Sequence, residues 1–558
     1  MKNVSAPGFL RLVLSFLLLT GNAWAQLPAD SVRTKMDAIF AAYNRPNGPG
    51  CAVGVLQNGA LIFGKGYGMA NLEYDIPITT ATVFDIASVS KQFAGLAVST
   101  LIQEGKVNLD DDIRKYLPDL PIFAKTITIR HLVHHTSGLR DWPQTLHLAG
   151  WRWDEVFSFD DIMRMVRNQK DLDFDSGERY SYSNTGYNLL AALVEKVSGQ
   201  PFHQWMDARI FKPLHMNSSR FQNDYTKLIK NLAYSYEPRP GEFVKTPGAL
   251  TAYGSSSLFT TVDDLARWVQ HFDREVAANN PVYTRMLTLG QLNNGETVAY
   301  GYGLATGNDR GLKVVNHSDS WAGYRTILTN YPDEKLSIIL LSNSGDFNVG
   351  GFAAAVADVF LKPKFKSAAV ANPNAGLKDR PTIPLKPALA KKYAGVYQLG
   401  TGWAVTLTVE NGRLMTQANG EAKFPTEAKS DSVIWIDAYG AAMTFVPDPN
   451  GEVNRLKYKA ILAKRITPWA PDPTELPLFA GTYYCPELAT EYKIELVNGK
   501  LKMQHMRLGE TELDADPTGV DQFTGRPGSL RFVKNEQKKV TGFRLSGGRV
   551  KNIWFEKR

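Results

Sequence analysis

The chain reads as an α+β protein in which helices gather against one antiparallel sheet, followed by two smaller domains made of strands. Three observations predict this. Paired strand patterns with tight turns stand near residues 51–66 and again near 324–343, helical periodicity dominates the stretch between them, and beyond residue 371 the chain becomes strand-like and turn-rich. A length of 558 residues also favours about three domains over one, because single cores stop growing well below that size.

Asp30 to Tyr43 has the spacing of an amphipathic helix, and Cys51 to Leu56 and Ala60 to Gly66 are expected strands around the hairpin turn Asn58-Gly59. A second antiparallel pair, Tyr324 to Asn330 and Leu336 to Asn343, is joined by Pro332-Asp333-Glu334, and a helix from about Val349 to Leu361 closes the unit. From Ala371, Asn372-Pro373-Asn374 and then Pro381, Pro384 and Pro387 mark an extended linker. Tyr393-Ala394-Gly395-Val396-Tyr397 is echoed by Phe479-Ala480-Gly481-Thr482-Tyr483, and the turns Asn411-Gly412 and Asn498-Gly499 follow at nearly the same distance. Two successive small β domains fit this repeat, divided at the proline-rich segment from Pro468 to Pro473. The expected boundaries are a leader over 1–25, the α+β domain over 26–370, the linker over 371–387, and the β domains over 388–470 and 471–558.

Met1-Lys2-Asn3, Arg11, the apolar run Leu12 to Leu19 and Ala23-Trp24-Ala25 have the form of a secretory signal with its cleavage site. Export to the periplasm or beyond the cell is expected, with the mature chain beginning near Gln26. The run is shorter than the roughly 20 residues of a spanning helix, and no later stretch approaches that length, so no membrane span is expected in the mature chain. The formal charge of +8 is scattered without a Lys/Arg block, which speaks for surface solvation and against nucleic-acid partners. Cys51 and Cys485 fall in different expected domains, so neither a disulfide framework nor thiolate-bound zinc is indicated. The sequence carries no signal for an oligomeric state.

Chemistry concentrates in three places. Ser88-Val89-Ser90-Lys91 opens a helical pattern whose face is marked by Phe93, Leu96, Ala97, Thr100 and Leu101. Three residues on a helix bring an ammonium beside a hydroxyl, and the positive end of the helix favours a developing alkoxide. Tyr180-Ser181-Tyr182-Ser183-Asn184-Thr185-Gly186 is a loop entering the apolar helix from Leu189 to Val197, a usual setting for functional side chains. The third place is the strand-like approach Val314-Val315-Asn316-His317-Ser318-Asp319-Ser320-Trp321. Taken singly, each has a plain structural reading: chance spacing, a turn and cap, a satisfied histidine. His131, His134 and His135 have a spacing that can bind zinc on a helix, but no Glu sits beside the pair and a glycine turn follows, so a structural role is expected and no metal.

Together, Ser88-x-x-Lys91, Tyr182-x-Asn184 and the late His317 segment resemble the serine β-lactamase-like and penicillin-binding family, which includes class C β-lactamases, D-alanyl-D-alanine carboxypeptidases, D-aminopeptidases and esterases. The similarity runs from about Asp30 to Leu361 and includes Phe84-Asp85-Ile86-Ala87, Leu132 to Leu139 and Asp263 to Trp268. The two β domains are similar to the C-terminal barrels of D-aminopeptidase-like members. The resemblance implies a β-lactamase/transpeptidase-like fold and acyl transfer through a covalent ester on Ser88, with Lys91 and Tyr182 sharing the proton transfers. It also implies that Asn184, His317, Ser318, Asp319 and Ser320 contact the substrate, that the backbone N–H groups of Ser88 and Ser320 form an oxyanion hole, and that no cofactor is needed.

His317-Ser318-Asp319 departs from the family pattern, where the third position is usually glycine. In a strand, His317 and Asp319 project together, so Asp319 is expected to repel a substrate carboxylate and to pair either with His317 or with a substrate ammonium. The expected function is hydrolysis of a small-molecule or peptide substrate, such as a D-amino-acid peptide or amide derived from the cell wall, or of a carboxylic ester. The alternatives are a β-lactamase, a catalytically silent penicillin-binding or sensory protein, and a main role for the β domains as carbohydrate or partner binders.

Overall fold

The computed structural model describes residues 29–246, 248–366, 376–400, 402–419, 421–459 and 461–558. The expected secretory leader and the first residues of the expected linker lie outside the described residues. No helix among the described residues is long and apolar enough to cross a membrane.

Within residues 29–366 an antiparallel sheet is sandwiched by helices. Its strands are β1 (Cys51–Gln57), β2 (Ala60–Tyr67), β3 (Ala305–Asp309), β4 (Leu312–Trp321), β5 (Tyr324–Tyr331) and β6 (Leu336–Ser342), in the order β3-β4-β5-β6-β1-β2. Both ends of the segment thus meet at the β1–β6 pair, where Val53 lies opposite Leu340. Among its helices are α1 (Ala29–Ile39), α2 (Lys91–Gln103), α3 (Trp142–Leu148), α4 (Asn184–Ser198), α5 (Val262–Ala277) and α6 (Val349–Leu361). Alternation along β6 divides the core: Ile338 and Leu340 pack with Met36 and Phe40 of α1 and Val356 of α6, whereas Ile339 and Leu341 pack on the other face with Val262 and Leu265 of α5. A strand covered on both faces reads as the unbroken apolar run Ile338-Ile339-Leu340-Leu341.

Local turn chemistry accounts for the expected hairpins. Asn58 and Gly59 adopt φ of +51° and +76°, the conformation a two-residue hairpin turn needs. The amphipathic helix is shorter than the expected Asp30 to Tyr43, ending at Ile39 before a separate 3-10 turn over Ala41–Tyr43. The helix expected from Leu189 begins five residues earlier, at Asn184, because the Ser183 hydroxyl caps it by accepting the Gly186 N–H at 3.4 Å.

The C-terminal part is entirely antiparallel. Strands between Gly395 and Ile466 make a nine-stranded sheet, and those between Gly481 and Lys557 close into a barrel. The sequence repeat has a physical counterpart. Tyr397 donates its hydroxyl hydrogen bond to the Tyr393 carbonyl at 3.0 Å, and Tyr483 does the same to Phe479 at 2.7 Å. The glycines inside each copy, Gly395 and Gly481, have φ of +150° and +148°.

The barrel is docked on the α+β domain through buried charge. Arg140, 1% exposed, donates from Nε to Glu487 at 2.6 Å and from Nη1 to Asp173 at 2.5 Å and to the Lys551 carbonyl at 2.5 Å. The Lys551 N–H closes the cluster on Asp173 at 2.9 Å, and the Tyr492 hydroxyl donates to the Leu148 carbonyl at 3.0 Å.

Candidate active site

Ser88 sits in a 3-10 turn, Ala87–Ser90, that runs directly into α2, whose first residue is Lys91. The serine is therefore one tight turn ahead of the α-helix rather than inside it. Ala87 is held at φ +47°, a conformation that costs a non-glycine residue about 1–2 kcal/mol, by its N–H donating to Asp85 Oδ1 at 2.8 Å. The following turn presents the Ser88 side chain to Lys91.

The Lys91 ammonium is fully buried and has three neighbours: Ser88 Oγ at 2.7 Å, Asn184 Oδ1 at 2.8 Å and the Ser255 carbonyl at 2.7 Å. Two of these, the amide oxygen and the carbonyl, only accept hydrogen bonds, so they hold two N–H bonds of the lysine whatever its charge. The remaining position faces Ser88 and is an N–H in the ammonium or a lone pair in the neutral amine. Burial lowers the Lys91 pKa to about 7, against the opposing pull of Asp319 and Asp141 and with the help of Arg549.

The Tyr182 ring lies against Lys91 Nζ, 4.8 Å from its centroid, and the Ser88 side chain is among the groups that act on the tyrosine hydroxyl. Burial holds that hydroxyl well above the ordinary phenol range, so it stays protonated at neutral pH. Asn184 opens α4; its N–H and Nδ2 donate to Asp141 Oδ1 at 2.7 and 3.0 Å, which turns Oδ1 toward Lys91. His317 and Asp319 face the same pocket from β4, as the alternation predicts, while Ser318 and Ser320 are exposed on its other side. His317 Nδ1 donates to the Ser318 carbonyl at 3.0 Å and Nε2 accepts from Tyr300 at 2.8 Å. Its pKa is lowered to about 4 by burial and then by Lys91, leaving the imidazole neutral. Asp319 Oδ2 accepts the Ser88 N–H at 2.8 Å, so the donor that the resemblance gives to an oxyanion hole is engaged by a carboxylate.

The histidines of the 131–135 cluster have structural engagements. His131 forms a capping box with Thr128, His134 Nδ1 donates to the Tyr300 carbonyl at 2.8 Å, and His135 Nδ1 accepts the Ser183 N–H at 3.1 Å.

Residues 36–360, more than half of the chain, match the model of the family described as Beta-lactamase. The chain belongs to the beta-lactamase family. As a family member it is a serine hydrolase. A penicillin-binding protein of Bacillus subtilis (strain 168) is 28% identical over 408 residues, 70% of this chain and 88% of the relative. A D-aminopeptidase of Gluconobacter oxydans (strain 621H) is 27% identical over 317 residues; the match takes in 56% of this chain and 60% of that enzyme's length. Among solved structures, the octameric penicillin-binding protein homologue from Pyrococcus abyssi has a TM-score of 0.55 at 21% identity, over 87% of this chain and 99% of that one, a likeness of fold.

Within this family fold, several contributors to the site were not singled out from the sequence, among them Tyr300, which donates to His317. The Ser255 carbonyl carries no side-chain signal. Asp141, just ahead of α3, follows the quoted stretch ending at Leu139 and is marked only by position. Arg549 lies 408 residues beyond Asp141, in the turn between the last two barrel strands, yet its guanidinium pairs with Asp141 Oδ2 and stacks 5.1 Å from the Tyr182 ring centroid. No pattern near Arg549 announces that role.

Proposed function

We propose that the chain is an exported serine hydrolase that forms an acyl-enzyme on Ser88 and cleaves amides and peptides of D-amino acids with a free amino group, with simple carboxylic esters as secondary substrates. The observation that carries this reading is the contact set at one point: Ser88 Oγ 2.7 Å from a lysine whose burial suits it to be neutral near pH 7, and an acidic side chain, Asp319, against the same serine. The D-aminopeptidase relative supports the substrate class, and the form of residues 1–25 supports export.

Neutral Lys91 takes the Ser88 proton as Oγ bonds to the substrate carbonyl carbon. The C–N bond then breaks, and that proton passes to the leaving amine through the Tyr182 hydroxyl. Water adds to the acyl carbon, gives a proton to Lys91, and expels Ser88 Oγ, which takes the proton back. Lys91 rather than Tyr182 is the base in this scheme, because burial pushes the lysine toward its neutral form and the tyrosine away from its anion.

The test is mass spectrometry after treatment with a fluorophosphonate, together with turnover of D-amino-acid anilides, p-nitrophenyl esters and nitrocefin. The adduct is expected on the peptide containing Ser88 and absent in Ser88→Ala, with anilides and esters cleaved ahead of nitrocefin. Labelling that persists in Ser88→Ala overturns the mechanism, and nitrocefin as the best substrate replaces the aminoacyl reading with that of a β-lactamase. Amino-terminal sequencing of the periplasmic protein should begin near Gln26; a retained Met1 overturns export by cleavage.

A further inference from the structure

We propose that the Asp319 carboxylate is a gate on the oxyanion site, opened by the ammonium group of the substrate itself. This inference rests on the proposed aminoacyl specificity and adds a cause for it.

In acyl transfer through a serine, the backbone N–H of the nucleophile is the natural donor to the oxygen that becomes negative. Here that N–H donates to Asp319 Oδ2 at 2.8 Å. The carboxylate is not a loose surface group. Its cross-strand partner is Thr326, whose hydroxyl donates to the Ile86 carbonyl at 2.9 Å, so β4 and β5 are tied to the turn that carries Ser88. A second negative oxygen forming about 4 Å from this carboxylate in a partly desolvated site would slow the reaction by roughly a thousandfold. Acylation therefore requires the carboxylate to be drawn aside or neutralised.

The two cations of the site, Lys91 and Arg549, are engaged by other groups. Lys91 is surrounded by Ser88, Asn184 and the Ser255 carbonyl, and Arg549 is paired with Asp141. Among the described residues no ion pair is made to Asp319. An ammonium on the carbon next to the scissile carbonyl arrives within reach of Asp319 whenever that carbonyl reaches Ser88 Oγ. Pairing with it draws the carboxylate off the Ser88 N–H, frees that donor for the oxyanion and cancels the opposing charge. An N-acylated or otherwise neutral substrate leaves the N–H occupied. Asp319 is thus a specificity-determining residue that acts through the nucleophile's own backbone.

The test compares D-alanine p-nitroanilide with its N-acetyl derivative in the full-length wild type, Asp319→Gly and Asp319→Asn. The wild type should prefer the free amine by about a hundredfold or more in kcat/KM, on the order of the charge effect above. Asp319→Gly should raise the N-acetyl rate about tenfold or more and lower the free-amine rate; Asp319→Asn, which keeps the shape and loses the charge, should move both in the same directions by less. Unchanged or slower N-acetyl turnover in both variants, with melting temperatures equal to wild type, overturns the gate. If the wild type cleaves neither anilide, the aminoacyl reading fails on its own, and the gate is then judged by the rate at which a neutral fluorophosphonate labels Ser88. Faster labelling in Asp319→Gly supports the gate and equal or slower labelling overturns it.

Discussion

Arg549, at the tip of the last barrel hairpin, forms an ion pair with the buried carboxylate of Asp141, which in turn holds both the backbone and the side-chain N–H groups of Asn184. One C-terminal residue thereby helps set the orientation of the amide that faces Lys91. Arg549 also lowers the Lys91 pKa by placing a second positive charge nearby. Arg549→Ala removes that charge and admits water, both of which favour the ammonium. The acidic limb of the kcat/KM profile should move to higher pH and the rate at pH 7 should fall; a profile that keeps its midpoint would separate Arg549 from Lys91.

In the wild type, a base with a pKa of about 7 must lose its proton before it can accept one from Ser88. Acylation should therefore rise with pH through about 7 and fall about tenfold per pH unit below it, since the protonated fraction grows in that direction. His317, lowered to about 4, stays neutral throughout that range and should add no second inflection there. Stopped-flow acylation by p-nitrophenyl acetate between pH 5 and 9 measures this. Lys91→Arg, which keeps a permanent cation, should abolish acylation at every pH.

The Arg140 cluster should make barrel docking a matter of stability as well as position. Glu487→Ala leaves a buried guanidinium with one carboxylate partner instead of two. Breaking such a pair should cost about 3 kcal/mol, the lower end of the usual range because Asp173 remains. The expected readouts are a lower melting temperature in calorimetry and faster proteolysis between the nine-stranded sheet and the barrel. The same cluster bears on the proline-marked linker, which suggests an α+β unit able to fold alone: without the barrel, Arg140 and Asp141 each lose a charge partner.

Gly54 lies where β1 passes beneath α5, and a Cβ there would stand 2.5 Å from Val262 Cγ1. Gly54→Ala should destabilise by about 1–3 kcal/mol through overpacking, and Val262→Ala in the same chain should recover part of that loss. Additive losses in thermal unfolding would show that the two sites do not share this contact.

Much of the fold was legible because the relevant signals are local. Asn58-Gly59 can adopt the positive φ values of a tight hairpin turn, and the apolar stretch from Val349 to Leu361 forms α6 over those residues. Ser88 and Lys91 meet because they are one turn apart, and His317 and Asp319 share a face because strands alternate. Helix limits were less legible, since α1 ends and α4 begins where capping and tertiary contacts decide.

The sequence by itself determined the α+β and all-β character, the repeat that ends at Tyr397 and at Tyr483, and the residues that define the family. The first follows from backbone preference and the period of side-chain direction, the second from comparing one stretch of the chain with another, and the third from the resemblance of three short local motifs to a known family. Only the tertiary structure decided that Arg549 meets Asp141, that the Ser255 carbonyl holds Lys91, and that Asp319 rests on the Ser88 N–H. Those contacts act through space between segments 164 to 408 residues apart, and a partner of that kind leaves no periodic mark on either segment.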